Sequence, residues 1–377
     1  MVENVDLDYL FLVWGIPVRN SPGAVNKQIY SIANRLTEDK KRVGILYISY
    51  NSVAARYNIE ENSLNFRIRL LISRIVYSKF VSKIPLYFFK RSKGKNLTEK
   101  VKLYASGTEL PLLNARHIVT SYWWAVLLAA QKYPREIIYF ILYHDYTEDI
   151  MHSNKENVPL LQQAYRMSNL ILANRDLSSK IGDNYPVITE GIEIEKFLCK
   201  GSINSKNRHM LLIPLRKNPL KGIEYAFPAL NKIHDQFPEI EIVGYGDFDG
   251  NVPNFIDFKH IMPDKMLMEY FCRSTYFILP SVTEGIPEPL LEAMAGGCAC
   301  ISTASGGPQQ VINNEVNGML VPVKDPESIF TAFKKLYNEE NLRRSVMEQA
   351  MRTASEYDLG RTYNDFINAI KFYENSS

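Results

Sequence analysis

Two kinds of pattern alternate along this chain. Short runs of apolar residues at 9–14, 42–48, 137–143 and 170–173 have the length and side-chain character of buried strands, while 24–36 carries helical spacing. A longer apolar stretch, 118–130, is shorter than a bilayer span and is followed by Gln131 and Lys132, so it reads as a buried strand leading into a helix. After a polar interval at 200–208 the alternation starts again, with strands at 210–214, 239–243, 276–279 and 299–302 and helices at 223–234, 265–272 and 289–295. Such alternation predicts an α/β fold of parallel sheets covered by helices. The restart predicts two doubly wound, Rossmann-like domains facing a ligand cleft, residues 1–191 and 192–354, with a terminal helix in 355–377.

Length and composition fit that division. A chain of 377 residues exceeds the size at which one core keeps growing. With 46% hydrophobic and 23% charged residues it is neither disordered nor fibrous. The first residues include Glu3, Asp6 and Asp8 and lack the basic flank of a secretory signal, so a cytoplasmic location is expected. Four cysteines, Cys199, Cys272, Cys298 and Cys300, are too few and too scattered for a disulfide framework, and reduced thiols are expected. Cys298 and Cys300 alternate as in a buried strand, where cysteine acts as a small hydrophobe.

The net charge of +3 hides an asymmetry, because residues 66–104 hold eleven Lys or Arg against the single acid Glu99. A basic concentration of this kind attracts polyanions. Ile68, Leu71, Ile72, Ile75 and Val76 share one helical face there, although Lys79 and Lys83 fall back towards it. A membrane-surface helix and an ordinary solvated helix both fit.

The densest chemistry lies at 280–297, where a strand ends in a turn rich in Gly and Pro and enters a helix. Pro287 and Pro289 precede the helical run, and the first-turn N–H groups beyond them form an anion site suited to a diphosphate. Glu292, read as lying in the first turn, offers a carboxylate to ribose hydroxyls. Upstream, Arg216 and Lys221 stand in the loop after the strand at 210–214, where two fixed cations would stabilise a departing diphosphate. Asp247 and Asp249 form an Asp-x-Asp pair, a possible metal motif. It follows a Gly-x-Gly turn of a doubly wound domain, and Arg216 and Lys221 already bring positive charge, so no divalent metal and no other cofactor is expected. His144, Asp145 and Asp149 have no recognised metal spacing.

Glu284 and Glu292 stand in a Glu-x7-Glu arrangement inside Glu-Gly-x-Pro…Leu-Glu-Ala-Met-Ala-x-Gly, which resembles glycosyltransferase family 4, the retaining nucleotide-sugar enzymes of GT-B fold. The resemblance implies that Glu284 and Gly285 meet the donor sugar, that Glu292 holds the ribose, and that backbone around Pro289, Leu290 and Leu291 meets the phosphates. It places Arg216 and Lys221 on the diphosphate and Gly244, in the run 242–246, near the nucleotide. In the first domain it implies close approach of Gly23 to the phosphates and a sugar-contacting role for His144. Residues 190–193 resemble the family's hinge, and Tyr363, Phe366, Ile367 and Ile370 resemble the final helix that crosses back to the first domain. The chain departs from the family after Gly306 and Gly307, where Pro308, Gln309 and Gln310 replace the usual Pro-Glu, and no catalytic role is carried to that turn.

The implied reaction moves a hexosyl group from a nucleotide diphosphate sugar to a hydroxyl of a glycan or lipid-linked acceptor, with retention. The implied setting is the cytoplasmic membrane face, touched through 66–104, and nucleic acid is the less expected partner. Three competitors differ in class: a nucleotide-sugar epimerase, which needs no acceptor; an enzyme glycosylating DNA, which binds duplex in a salt-dependent way; and a non-catalytic scaffold.

Overall fold

The computed structural model describes residues 6–14, 24–48, 97–98, 100–105, 113–143, 157–199, 207–260 and 262–376. The chain divides into two compact units, Met1–Thr189 with Thr362–Ser377 and Glu190–Arg361.

In the first unit the described elements run β1 (Leu7–Trp14), α1 (Ala24–Glu38), β2 (Val43–Ile48), β3 (Lys102–Ala105), β4 (Ala115–Thr120), α2 (Trp123–Ala129), β5 (Ile138–Leu142), α3 (Val158–Arg166), β6 (Asn169–Leu172) and α4 (Arg175–Ile181). The strands form one sheet in the order β3-β2-β1-β4-β5-β6, every pair parallel. Leu10, Leu12, Leu46, Ile118 and Phe140 pack with α2 and α3 on one face, and Phe11, Val13, Ile45, Val119 and Ile141 pack with α1 on the other. Burial on both faces explains why these strands read as unbroken apolar runs. The stretch 118–130 supplies the end of β4 and all of α2, and among the described residues no helix is long and apolar enough to cross a membrane.

The second unit repeats the plan with β7 (Asn207–Pro214), α5 (Ile223–Gln236), β8 (Glu241–Tyr245), β9 (Ile256–Lys259), α6 (Asp264–Arg273), β10 (Ser274–Leu279), α7 (Glu288–Ala295), β11 (Ala299–Thr303), α8 (Gly307–Val311), β12 (Met319–Val321), α9 (Pro326–Asn338) and α10 (Glu340–Ser355). Its sheet order is β12-β11-β10-β7-β8-β9, again all parallel. The direction of winding reverses between β7 and β10, and loops leaving the carboxyl ends of two such strands part to open a crevice.

The terminal helix, α11 (Leu359–Glu374), completes the core of the first unit. Phe366, fully buried, lies 6.1 Å from the Tyr9 ring and 6.4 Å from Phe11. Thr362 Oγ1 donates to the Thr189 carbonyl at 2.7 Å, and the Thr189 N–H donates to Asp365 at 3.0 Å.

One expectation needs correction. Cys199 and Cys272 are joined in a disulfide, with Cα atoms 5.4 Å apart, while Cys298 and Cys300 are free and buried. The pair is 73 residues apart, too far for spacing to reveal. It forms because the segment before β7 folds over α6, where Phe197 packs edge-on against Phe271 with ring centroids 5.9 Å apart. In the basic segment, Lys102 belongs to strand β3, paired with Gly44. Residues 66–96, Gly23, His144, Asp145 and Asp149 lie outside the described residues.

Candidate functional site

The loops that leave β7, β10 and β11 at their carboxyl ends are stitched together. After β7, residues Pro219–Lys221 make a single 3-10 turn, capped by Asn218, whose side chain accepts from the Leu220 N–H. Gly222 follows in the left-handed region at φ 69°, and a Cβ there would stand 2.0 Å from the Pro280 carbonyl oxygen. Only glycine lets this loop touch the start of the β10 loop. Val282 N–H then donates to the Leu220 carbonyl at 2.8 Å. Further on, Glu284 N–H donates to Ser305 and Gly307 N–H donates to Glu284, at 2.8 and 2.9 Å. Gly307 is as constrained as Gly222, since a Cβ on it would lie 1.8 Å from the Gly285 carbonyl oxygen.

The stitching brings three side chains to one point. Lys221 Nζ donates to Glu284 Oε1 at 2.7 Å, and Ser281 Oγ donates to the same oxygen at 2.7 Å. The Glu284 side chain is only 11% exposed, so both donors compensate a carboxylate largely removed from water. The cation that the resemblance assigns to the diphosphate is thus held here on the carboxylate assigned to the sugar. Ser281, fully buried, was not singled out from the sequence; its signal is a hydroxyl at the strand end, three residues before the acid.

Gly285 differs from the glycines around it. Its φ is not positive, it is exposed, and an added Cβ would meet nothing within 4 Å. Among the described residues nothing requires glycine there.

Helix α7 starts at Glu288, with Pro289 as its second residue. Glu292 is therefore the fifth residue of the helix, one residue beyond the first-turn placement read from the sequence. The N–H groups of Leu290 and Leu291 both donate to the Pro287 carbonyl, at 3.0 and 3.3 Å, and their side chains are buried. Those two amides are hydrogen-bonded at the start of the helix.

Across β7, the Gly-x-Gly turn is shaped by packing. A Cβ on Gly244 would lie 2.6 Å from Leu215 Cδ1, so this glycine makes room for Leu215. Gly246, at φ 139°, would place a Cβ 2.2 Å from the Leu215 carbonyl oxygen and 3.2 Å from Arg216 Cδ. The exposed Arg216 side chain thus passes over Gly246. Between the two glycines, Tyr245 is buried, and burial raises its pKa far above the usual phenol range; the Glu292 charge adds to this and Arg216 opposes it. Arg216 and Glu292 therefore act on one phenol, although they come from different loops.

The Asp-x-Asp carboxylates serve the neighbouring loop. Asp247 accepts from the Lys217 backbone N–H at 3.2 Å, and Asp249 pairs with Lys217 Nζ. The hydrogen bond from Lys217 lowers the Asp249 pKa, and the same bond raises that of Lys217. Among the described residues no group of three or more His, Cys, Asp or Glu is placed to hold a metal ion.

Residues 199–353 match the family model of glycosyl transferases group 1. That stretch holds Arg216, Lys221, Ser281, Glu284 and Glu292. Among curated proteins, the chain is 31% identical over 173 residues to the amylovoran biosynthesis glycosyltransferase AmsK of Erwinia amylovora, covering 40% of this chain and 41% of that one. It is 25% identical over 199 residues to the phosphatidyl-myo-inositol mannosyltransferase of Mycolicibacterium smegmatis, covering 50% and 52%. The chain therefore spans about half the length of these curated relatives, 41% and 52%. Among solved structures, Anabaena HepE in complex with UDP and glucose superposes with a TM-score of 0.66 at 13% identity, over 97% of this chain and 99% of that one. The sucrose-phosphate synthase of Thermosynechococcus elongatus gives 0.67 at 14%, over 98% and 100%. The fold is GT-B, two Rossmann-like α/β domains.

Proposed function

We propose that this chain is a retaining, metal-independent glycosyltransferase that moves a hexosyl group from a nucleotide diphosphate sugar to a hydroxyl of a glycan or lipid-linked acceptor. The observation that carries the reading is the junction of Lys221, Ser281 and Glu284 at the switch point between β7 and β10, inside the stretch matching the family model. Support for the donor comes from HepE, solved with UDP-glucose, and for the acceptor from AmsK and the phosphatidyl-myo-inositol mannosyltransferase.

In this reading Glu284, steadied by Ser281 and Lys221, hydrogen-bonds the hydroxyls of the donor sugar beside the open space over Gly285. Glu292 accepts from the ribose hydroxyls. As the bond from the anomeric carbon to the phosphate oxygen breaks, charge grows on the departing diphosphate, and Arg216 and Lys221 stabilise it; fixed donors aimed at developing charge are a large source of rate. The acceptor oxygen bonds the anomeric carbon from the same face, and its proton passes to the leaving phosphate oxygen. Products are the glycoside of unchanged anomeric configuration and a nucleoside diphosphate. Two cations beside the diphosphate, with Asp247 and Asp249 committed to Lys217, support a reaction without a divalent ion. Attachment through 66–104 to an anionic membrane surface on the cytoplasmic side belongs to the same proposal.

The test is transfer from UDP-, GDP- and ADP-hexoses in EDTA, with the product anomer read by NMR. Glu284→Ala is expected to reduce turnover more than nucleotide affinity, and Glu292→Ala to weaken nucleotide binding. Wild-type rates in both variants would remove this donor site from consideration, and conversion of donor without acceptor would point to an epimerase.

A further inference from the structure

Tyr245 ends β8 inside the Gly-x-Gly turn, and its two ends have different surroundings. The ring is 4% exposed, packs edge-on against Phe271 with centroids 6.2 Å apart, and shares a core cluster with Leu290, Leu291 and Met294 of α7. The backbone is fixed, since Tyr245 pairs with Pro214 and its carbonyl accepts from the Leu215 N–H at 2.7 Å. The hydroxyl, by contrast, is buried without a hydrogen-bond partner among the described residues. Such a group is costly, and phenylalanine would fill the same space without the cost. Its presence calls for a partner that arrives only in some states of the protein.

Glu292 lies on α7, whose Leu290, Leu291 and Met294 pack in one cluster with this ring, and Arg216 follows Leu215, whose N–H bonds the Tyr245 carbonyl; both charges act on the phenol, with the buried Cys298 thiol a smaller influence. Arg216 carries only donors, so the group able to accept a phenol proton is the Glu292 carboxylate. Burial keeps Tyr245 protonated, hence able to donate, at any pH at which the enzyme would work.

We propose that Tyr245 is a positioning residue for the nucleotide: its hydroxyl donates to the Glu292 carboxylate when that carboxylate takes up the ribose hydroxyls, and so fixes the carboxylate's orientation. Ribose binding thereby completes the hydrogen bonding of the hydroxyl. This inference rests on the assignment of Glu292 to the ribose made above.

Tyr245→Phe tests it, because the ring and its packing are kept. Without nucleotide the variant is expected to melt at the wild-type temperature or above. Binding is then titrated with UDP, GDP and ADP, and for whichever binds the wild type, Kd is expected to rise about tenfold in the variant, the loss of one hydrogen bond to a charged group. The same comparison with the 2′,3′-dideoxy form of that nucleotide, and in a Glu292→Ala background, should give a ratio near one. A merely structural role would weaken all three equally. Equal Kd values for wild type and Tyr245→Phe, or an undiminished loss with the dideoxy nucleotide or without Glu292, would overturn the inference alone. A wild-type protein that binds none of the three nucleotides would overturn the donor reading and this inference with it.

Discussion

Replacing Lys221 with methionine removes the ammonium group and keeps an unbranched stem of similar reach. In the wild type its Nζ lies 2.7 Å from Glu284 Oε1, with side chains 33% and 11% exposed. A hydrogen bond between charged groups contributes about 1.5–3 kcal/mol. Partial exposure of Lys221, and the Ser281 bond that survives on the same oxygen, bring the expected loss down to about 1–2 kcal/mol. For a unit of this size that lowers Tm by about 2–8 °C. Scanning calorimetry on Lys221→Met, Glu284→Gln and the double variant completes a cycle, with an expected coupling of at least about 0.5 kcal/mol. Initial rates of transfer should fall by about 10²–10³, the usual effect of deleting one fixed donor at a developing charge. Strictly additive stabilities in the double variant, together with a wild-type rate in Lys221→Met, would refute the idea that this pair links the loops and serves the reaction.

Further outcomes follow from other positions. Gly285→Ala meets open space and should change stability by less than about 0.5 kcal/mol, yet slow transfer by about tenfold or more through misplacement of the sugar. Gly222→Ala drives a Cβ into the Pro280 carbonyl and should cost about 2–4 kcal/mol, so a thermal scan that ranks the two variants the other way contradicts both. Thiol titration of unfolded, unreduced protein should find Cys298 and Cys300 reactive and Cys199 and Cys272 silent until a reductant is added; the closed loop is worth about 4 kcal/mol, to be seen as a lower Tm after reduction. Tyr9, Tyr122 and Tyr139 are pushed up to about 12, mainly by burial. Because unfolded tyrosine ionises near pH 10, their contribution is complete below about pH 10 and is lost as pH rises towards 12. Ultraviolet titration showing these phenols ionised near pH 10 in the native state would refute that.

The central strands were legible because each is buried on both faces, which leaves an apolar run that no other element of that length produces. The edge strands of the second sheet, β9 and β12, were not. In β9 only Ile256 is buried, while Asp257 faces solvent, and β12 is three residues long, so neither carries a pattern. At the site, Arg216, Lys221, Glu284 and Glu292 were legible through spacing within motifs, but not the contact between Lys221 and Glu284. That contact depends on two loops approaching through Gly222, a tertiary event. The packing of Leu215 beside Gly244 was not legible, because a glycine in a turn looks the same whatever fills the space beside it. The start of α7 was not legible either, since the helix begins at Glu288, one residue earlier than its prolines suggest. Ser281 carries only the weak signal of a hydroxyl three residues before Glu284, and Tyr245 carries none until the fold buries its hydroxyl.

Nucleotide binding by the second unit is the most direct test of the central claim. A thermal-shift titration of the purified protein with UDP, GDP, ADP and their hexose conjugates, in EDTA, measures it without knowledge of the acceptor, since a ligand that binds only the folded state raises Tm. The account expects selective stabilisation by one nucleotide, lost in Arg216→Ala and in Glu292→Ala. No stabilisation by any of them, or the same stabilisation in both variants, would contradict it.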